Sequence, residues 1–326
     1  MADGIHTANG KAFEYACLIA LYETLCKEQA VVIEDTIPLY TAKKHYEQMD
    51  LVLKQKLDKA AAAAIRVIIP LEPQLKYPSF NSPLYLTLQT DAQGQQGDVR
   101  DVLCLRRQNS WEIGLSCKHN HDAVKHSRLS DKIDFGKDWF NIPCSKEYFD
   151  VIIPLFSELR TMRDISKKSK STALWSDVSD KEEKYYVPIL QAFMDELRRL
   201  DIEHPNTIPK LLIHYLIGKN DFYKVITDDA KQYTRVEAIN INGTLNRSAE
   251  GRGSLAKVDK LKLPTRFYHV GFKPNSKNTI EVVCDEGWTV SMRIHNASSK
   301  IEPSLKFDVK LISLPSTIYA ETEAWS

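Results

Sequence analysis

Apolar residues recur at Phe13, Cys17, Ala20, Leu21 and Leu25, the three-and-four spacing that gives a helix one buried face. The pattern predicts a first helix over 10–27. A second helix is expected over about 42–67, ending before Pro70, because proline disfavours helical geometry in the residue ahead of it. The segment 84–90 (LYLTLQT) alternates apolar and polar positions, the two-residue period of a strand. Two further strands, 99–105 and 111–118, flank a polar tip at 106–110 and form a hairpin. Helical spacing then predicts segments at roughly 122–132, 145–168, 180–201 and 209–217, with the run 166–172 (SKKSKST) as a solvated connector. From Asp221 onward the texture changes to short strands at 222–226, 236–245, 266–272, 279–284, 288–294 and 305–314.

This mixture gives an α/β (α+β) class and a division near residue 218. Residues 1–218 form an α/β half with helical elaboration, and 219–326 a β-rich half. A length of 326 residues suffices for two domains. The apolar runs 60–65 and 67–71 are far too short to span a bilayer, and the first ten residues lack the apolar core of a secretory signal. A cytoplasmic protein with no membrane partner is expected. Cys17, Cys26, Cys104, Cys117, Cys144 and Cys284 form no Cys-x-x-Cys pair, which argues against a zinc site and fits reduced thiols. The net charge of +1 announces no nucleic-acid partner, so such a partner must be argued from local patches.

The hairpin carries the most suggestive chemistry. With its tip centred on Gln108, Asp98 stands opposite Lys118, where facing Cβ atoms lie ~4.5–5.5 Å apart. Ser116 then faces Arg100 one step inward. Glu112 shares that side of the strand, but six residues at ~3.3 Å each put it roughly 20 Å from Lys118, too far to share a metal. A carboxylate that fixes a divalent cation beside a lysine is what metal-assisted phosphodiester hydrolysis needs. An ordinary cross-strand ion pair has the same spacing. Asp101 falls on the opposite side of its strand from Asp98 and is expected to be structural. The contiguous triplet His119-Asn120-His121 does not spell a ββα-metal site, whose ligands are spread over dozens of residues. A zinc site on His121 and His126 lacks two further ligands.

Larger blocks point further. Gly97-Asp98-Val99-Arg100-Asp101, Trp111-Glu112-Ile113-Gly114-Leu115-Ser116-Cys117-Lys118-His119-Asn120-His121, and Ala123-Val124-Lys125-His126-Ser127-Arg128-Leu129 resemble the HaeIII family of type II restriction endonucleases. The likeness continues through Lys219-Asn220-Asp221-Phe222-Tyr223-Lys224, Phe272-Lys273-Pro274-Asn275-Ser276, Arg293-Ile294-His295-Asn296-Ala297-Ser298 and Glu302-Pro303-Ser304-Leu305-Lys306-Phe307-Asp308. These blocks keep their order over most of the chain. The resemblance implies a PD-(D/E)xK-type nuclease core, dependence on Mg²⁺, and cleavage of double-stranded DNA at a short palindrome, GGCC, cut bluntly between G and C. It also implies a cognate DNA methyltransferase guarding the same sequence, and the palindrome suits a homodimer. The wider superfamily has Asp or Glu two residues before the lysine, where this chain has Ser116. The resemblance therefore implies a replacement carboxylate, for which Glu14 on the first helix is the candidate, with the Cys117 main-chain carbonyl as a further metal contact. A first-turn acid favoured by the helix dipole is the competing reading of Glu14.

Candidate DNA contacts follow. Asn120 and His121 sit beside the lysine, and Lys125, His126 and Arg128 fall within one turn of the expected helix. Residues 251–310 hold eleven Lys or Arg against six acids, a local excess suited to backbone phosphates. Within that span Lys273, Asn275, Lys277, Arg293, His295, Asn296 and Lys300 have the donor chemistry that reading a G·C pair demands. Ordinary polar loops remain the alternative for each residue taken singly. At the level of function, two alternatives stand beside the restriction enzyme: a repair or structure-specific nuclease on the same core, and a degenerate fold that binds DNA without cutting.

Overall fold

A computed structural model describes residues 2–77, 82–90, 97–120, 123–249 and 251–325. Its first helix, α1 (Ala2–Leu25), buries Phe13, Cys17, Leu21 and Leu25 completely, the face that the spacing predicted. A short strand β1 (Val31–Ile33) precedes α2 (Ile37–Glu47), α3 (Leu51–Leu71) and the single turn α4 (Pro73–Lys76). The one helix expected over 42–67 is thus two. Asp50 restarts the chain by capping Leu53 N–H at 2.9 Å, a satisfied helix N-terminus that periodicity alone does not register. Helix α3 also runs one residue past Pro70.

Strands β2 (Leu84–Leu88), β3 (Val102–Arg106) and β4 (Trp111–His119) follow, then β5 (Ala123–Leu129). The last replaces the helix expected over 122–132. Its residues pair antiparallel with a distant C-terminal strand from Leu129 opposite Leu305 to His126 opposite Asp308. Tertiary pairing therefore overrides local propensity here. The one-turn grouping of Lys125, His126 and Arg128 lapses with the helix. Helices α5 (Phe135–Phe140), α6 (Lys146–Lys168), α7 (Val187–Glu203) and α8 (Ile208–Ile217) come next. They lead to β6 (Phe222–Asp228), β7 (Tyr233–Ile239), β8 (Phe267–Phe272), β9 (Thr279–Cys284), β10 (Thr289–His295), β11 (Leu305–Ser313) and β12 (Ala320–Ala324).

The chain divides into two units. One comprises 1–122, 219–261 and 317–326, the other 123–218 and 262–316. Residue 218 is one crossing point among four, so the β-rich C-terminal stretch is shared between the units. The first unit holds a seven-stranded mixed sheet in the order β1-β2-β3-β4-β6-β7-β12. Its β4 and β6 are parallel, which requires a long crossover, and residues 123–218 of the second unit are strung along that crossover. Helix α1 packs against β4 and β2, and α3 against β7. Trp111, Ile113, Leu115 and Cys117 of β4 enter this core with Val102 and Cys104 of β3. In the second unit the sheet is antiparallel, in the order β5-β11-β10-β9-β8. Its apolar side includes Val290, Met292, Ile294, Phe307 and Val309. The Phe307 ring meets Phe193 of α7 edge-on at 5.1 Å, and Trp139 stacks on Tyr215 at 4.5 Å.

A buried cation organises the edge of the first unit. Arg106 is 0% exposed and donates to the carbonyls of Gln74 (2.7 Å), Ser82 (2.8 Å) and Leu75 (3.0 Å), and to Gln29 Oε1 (2.6 Å). Burial pushes its pKa down to about 10, so it stays charged at neutral pH. Removing it leaves the Gln74 and Ser82 carbonyls and Gln29 Oε1 without this donor, a cost that grows with their burial. Arg106→Ala is expected to lose about 3 kcal/mol of stability in a denaturant titration, and a loss under about 1 kcal/mol would show that the network is not needed.

Candidate active site

The hairpin register decides which acid meets the lysine. Strand β3 ends at Arg106, paired with Trp111, so residues 107–110 make a four-residue loop, with Arg107–Asn109 as one 3₁₀ turn. Ser110 then takes a left-handed φ of 48°. A tip centred on Gln108 assumed five. One residue fewer shifts the register by one step and exchanges the faces. Val102 therefore stands opposite Leu115. Just beyond the ladder, the Asp101 N–H donates to the Leu115 carbonyl at 2.7 Å, which holds Asp101 against the end of β4.

Asp101 and not Asp98 is consequently the partner of Lys118. Its Oδ2 lies 3.6 Å from Lys118 Nζ and accepts the Cys117 N–H at 2.7 Å. Asp101, expected on the far side of its strand from Asp98 and Lys118, is thus the acid beside the lysine. Asp98 is occupied elsewhere, accepting from Arg100 Nη2 at 2.7 Å, Gln89 Nε2 at 2.9 Å and Asn220 Nδ2 at 3.0 Å. Burial acts to raise its pKa, but these donors outweigh it and hold Asp98 below the usual carboxylate range. Arg100 also reaches Glu112 at 2.8 Å, crossing Gly114 so closely that a Cβ there would lie 2.3 Å from Arg100 Cδ. Both acids made conspicuous by the sequence are therefore neutralised by one arginine.

Glu14 completes the cluster from α1. It is almost fully buried and accepts from Lys11 Nζ at 3.1 Å. Its pKa is raised to about 7, first by burial and next by the charge of Asp101; the charges of Lys11 and Lys118 act in the opposite direction. A carboxyl held partly protonated by burial and by a neighbouring carboxylate marks a place where added positive charge is favourable. Cys117 supplies strand backbone between Ser116 and Lys118, and hydrogen bonding to Cys17 together with burial keeps its thiol protonated. Ser116 is buried and in register with Lys224 of β6, itself a buried lysine 3.9 Å from Glu237. Among the described residues, no group of three or more His, Cys, Asp or Glu could enclose a metal. Two carboxylates with a strand carbonyl instead suit a hard divalent cation that keeps water and substrate oxygens in its shell.

The family model described as HaeIII restriction endonuclease matches residues 10–315. This chain belongs to the HaeIII restriction endonuclease family. The type II restriction enzyme HaeIII of Haemophilus aegyptius is 43% identical over 317 residues, covering 97% of each chain. No solved structure matches the chain. As a HaeIII-family member, the protein is a type II restriction endonuclease: a site-specific hydrolase of double-stranded DNA that works with a divalent metal. Among the described residues, no helix is long and apolar enough to cross a membrane.

The remaining candidates are placed as follows. Asn120 takes a left-handed φ of 57°, and its Oδ1 accepts the Asp229 N–H at 2.9 Å, so it pins the end of β4 to the β6–β7 turn. His121 lies outside the described residues, as does the side chain of Lys125. In the second unit a cross-strand row, Arg128–Lys306–His295, runs over β5, β11 and β10. In the adjacent row Arg293 faces Asp308. Asp308 Oδ oxygens lie 2.8 Å from His295, 3.6 Å from Arg293 and 3.7 Å from Lys306, so one acid stands among three basic side chains. His295 Nε2 is near Asp308 without hydrogen-bond alignment. Lys273 pairs with Glu281 at 3.8 Å and Lys277 with Glu183. Asn275 has a left-handed φ of 60°, and Asn296 accepts from Tyr186 at 3.3 Å. Lys300 is exposed.

The raised carboxyl fixes a sign. In metal-free protein, native Glu14 keeps a proton up to about pH 7, whereas the unfolded side chain loses it near 4.5. The native state binds more protons inside that window, so this group's stabilisation falls as pH rises through it. Wild type minus Glu14→Gln, measured by denaturation in chelator from pH 4.5 to 8, should decline across the window and then level off. A difference that rises with pH would contradict the buried, proton-holding Glu14.

Proposed function

We propose that this enzyme cuts double-stranded DNA at GGCC, bluntly between G and C, using Mg²⁺ held by Glu14, Asp101 and the Cys117 main-chain carbonyl. The observation that carries the site assignment is the convergence of Lys118, Asp101 and Glu14 on one buried end of β4. When bound, the metal polarises the scissile phosphate and lowers the pKa of a coordinated water. Lys118 is assigned to hold the attacking water and to offset charge building on the phosphate, since its ammonium is already oriented by Asp101. Ser116 leaves the acid's usual place to Glu14, which reaches the site from the helix instead of the strand. Asp98 is assigned to fixing Arg100 and through it the approach to β3.

Cleavage is assigned to the first unit, and base reading to the basic rows of the second, with Arg128, Arg293 and His295 as its core. Lys273, Asn275, Lys277 and Asn296 border this surface as secondary contacts. The recognition sequence is palindromic, so a two-fold dimer is the matching assembly. A methyltransferase modifying the same sequence in the cytoplasm would protect the host DNA.

The reading is tested by incubating plasmid DNA with the protein in Mg²⁺ or in EDTA and sequencing the ends. Discrete blunt ends at GGCC, only with metal, are expected. Scattered ends, or intact DNA despite duplex binding, would overturn it. Lys118→Ala should lower the single-turnover rate by about 10²–10³-fold while duplex binding persists, and an unchanged rate would remove the lysine from the chemistry.

A further inference from the structure

The second unit has a groove of about 550 Å³ where β5 ends and β11 begins, closed by the C-terminal end of α6 and the segment after it. Its cations are Lys132, Arg163, Lys167 and Lys300, and Glu302 is the one acid among its lining residues. That acid is already engaged, 3.5 Å from Arg128, and Arg163 leans on Asp164 at 2.8 Å. Lys132, Lys167 and Lys300 are exposed, and no carboxylate of the described residues lies within ion-pair distance of them. Three unneutralised ammonium groups around one concavity repel each other, and an anion relieves that.

The uncharged lining fits an anion as well. Ser130 Oγ accepts from Lys132 N–H at 3.2 Å and Ser304 Oγ from Arg128 Nη1 at 2.8 Å. Each hydroxyl thus keeps its own proton for an incoming oxygen. A helix C-terminus would normally repel negative charge through its free carbonyls. Here they are consumed: Ile165 O accepts from Ser169, Ser166 O from Ser171, and Arg163 O from Ser166. The run SKKSKST is therefore more than a spacer. Its serines close the helix end, and Lys167 lines the groove.

We propose that this groove binds successive phosphates of the DNA backbone, outside the bases that are read, with Lys132, Lys167 and Lys300 as the charged contacts. The inference rests on the restriction-enzyme reading, because a duplex is the polyanion that this enzyme must hold. It adjoins the Arg128–Lys306–His295 row through Arg128, which bonds groove residue Ser304, so one duplex can satisfy both.

The test is duplex binding in EDTA over a range of salt, comparing wild type with Lys132→Ala/Lys167→Ala/Lys300→Ala and with the matching triple Arg variant. Removing one lysine–phosphate pairing should lower the slope of log K against log salt by about 0.9. The Ala variant should thus give up roughly 2–3 units of slope, equally on GGCC and scrambled duplexes, while the Arg variant keeps the slope. An unchanged slope, or a weakening confined to GGCC duplex, overturns the groove. Wild type that fails to bind any duplex instead overturns the nuclease reading on which it rests.

Discussion

The pairing of β3 with β4 is the constraint on which the candidate site depends. Strand side chains alternate, so a slip of one residue would turn Asp101 away from Lys118 and bring Asp98 toward it. What prevents the slip is burial on the α1 side. Val102 and Cys104 must face the same core as Ile113 and Leu115, and each fully buried aliphatic side chain is worth ~1.5–3 kcal/mol. Arg106 at the loop end adds its own lock by tying β3 to three carbonyls and to Gln29. The geometry of the candidate site is thereby a by-product of core packing.

Two carboxylate environments result, a few residues apart. Asp98 and Glu112 share Arg100 and are electrostatically satisfied without any ligand. Glu14 differs: burial first, and the charge of Asp101 next, hold its proton up to about pH 7 despite Lys11 and Lys118. A buried carboxyl whose proton a divalent cation could displace, beside the Asp101 carboxylate, is a favourable setting for such a cation, because a lowered local dielectric strengthens the attraction. The same logic inverted applies in the second unit, where unneutralised lysines gather around hydroxyls with protons to give. Both proposals rest on the same principle: charge left without a neutralising partner favours a ligand of the opposite sign.

Much of this was legible in the sequence. The periodicity of 13–25 gave α1 and its buried face, and the Trp111–Lys118 segment read correctly as a buried strand. Lys118 and Glu14 were singled out, and the structure sets Lys118 beside Asp101, whose charge in turn acts on Glu14. Asp101 was missed for a physical reason: its identification hinges on whether the loop holds four residues or five, and nothing in RQNS fixes that without the left-handed Ser110. An available signal was parity, since Glu112, Gly114, Ser116 and Lys118 form the polar face of β4, and the even apolar residues of β3 must then oppose its odd ones. The strand at 123–129 was missed because its partner lies some 180 residues away, and local spacing carries no trace of such a pairing. The interleaving of the two units is likewise set by long-range contacts.

We propose that register makes Asp101, and not Asp98, the metal-bearing acid. This is tested most directly by single-turnover cleavage of a GGCC duplex in Mg²⁺ by Asp101→Asn and Asp98→Asn side by side, with duplex affinity measured in EDTA. A loss of roughly a thousandfold is expected for Asp101→Asn with affinity kept, and a rate within about tenfold of wild type for Asp98→Asn. An inactive Asp98→Asn beside an active Asp101→Asn would contradict it.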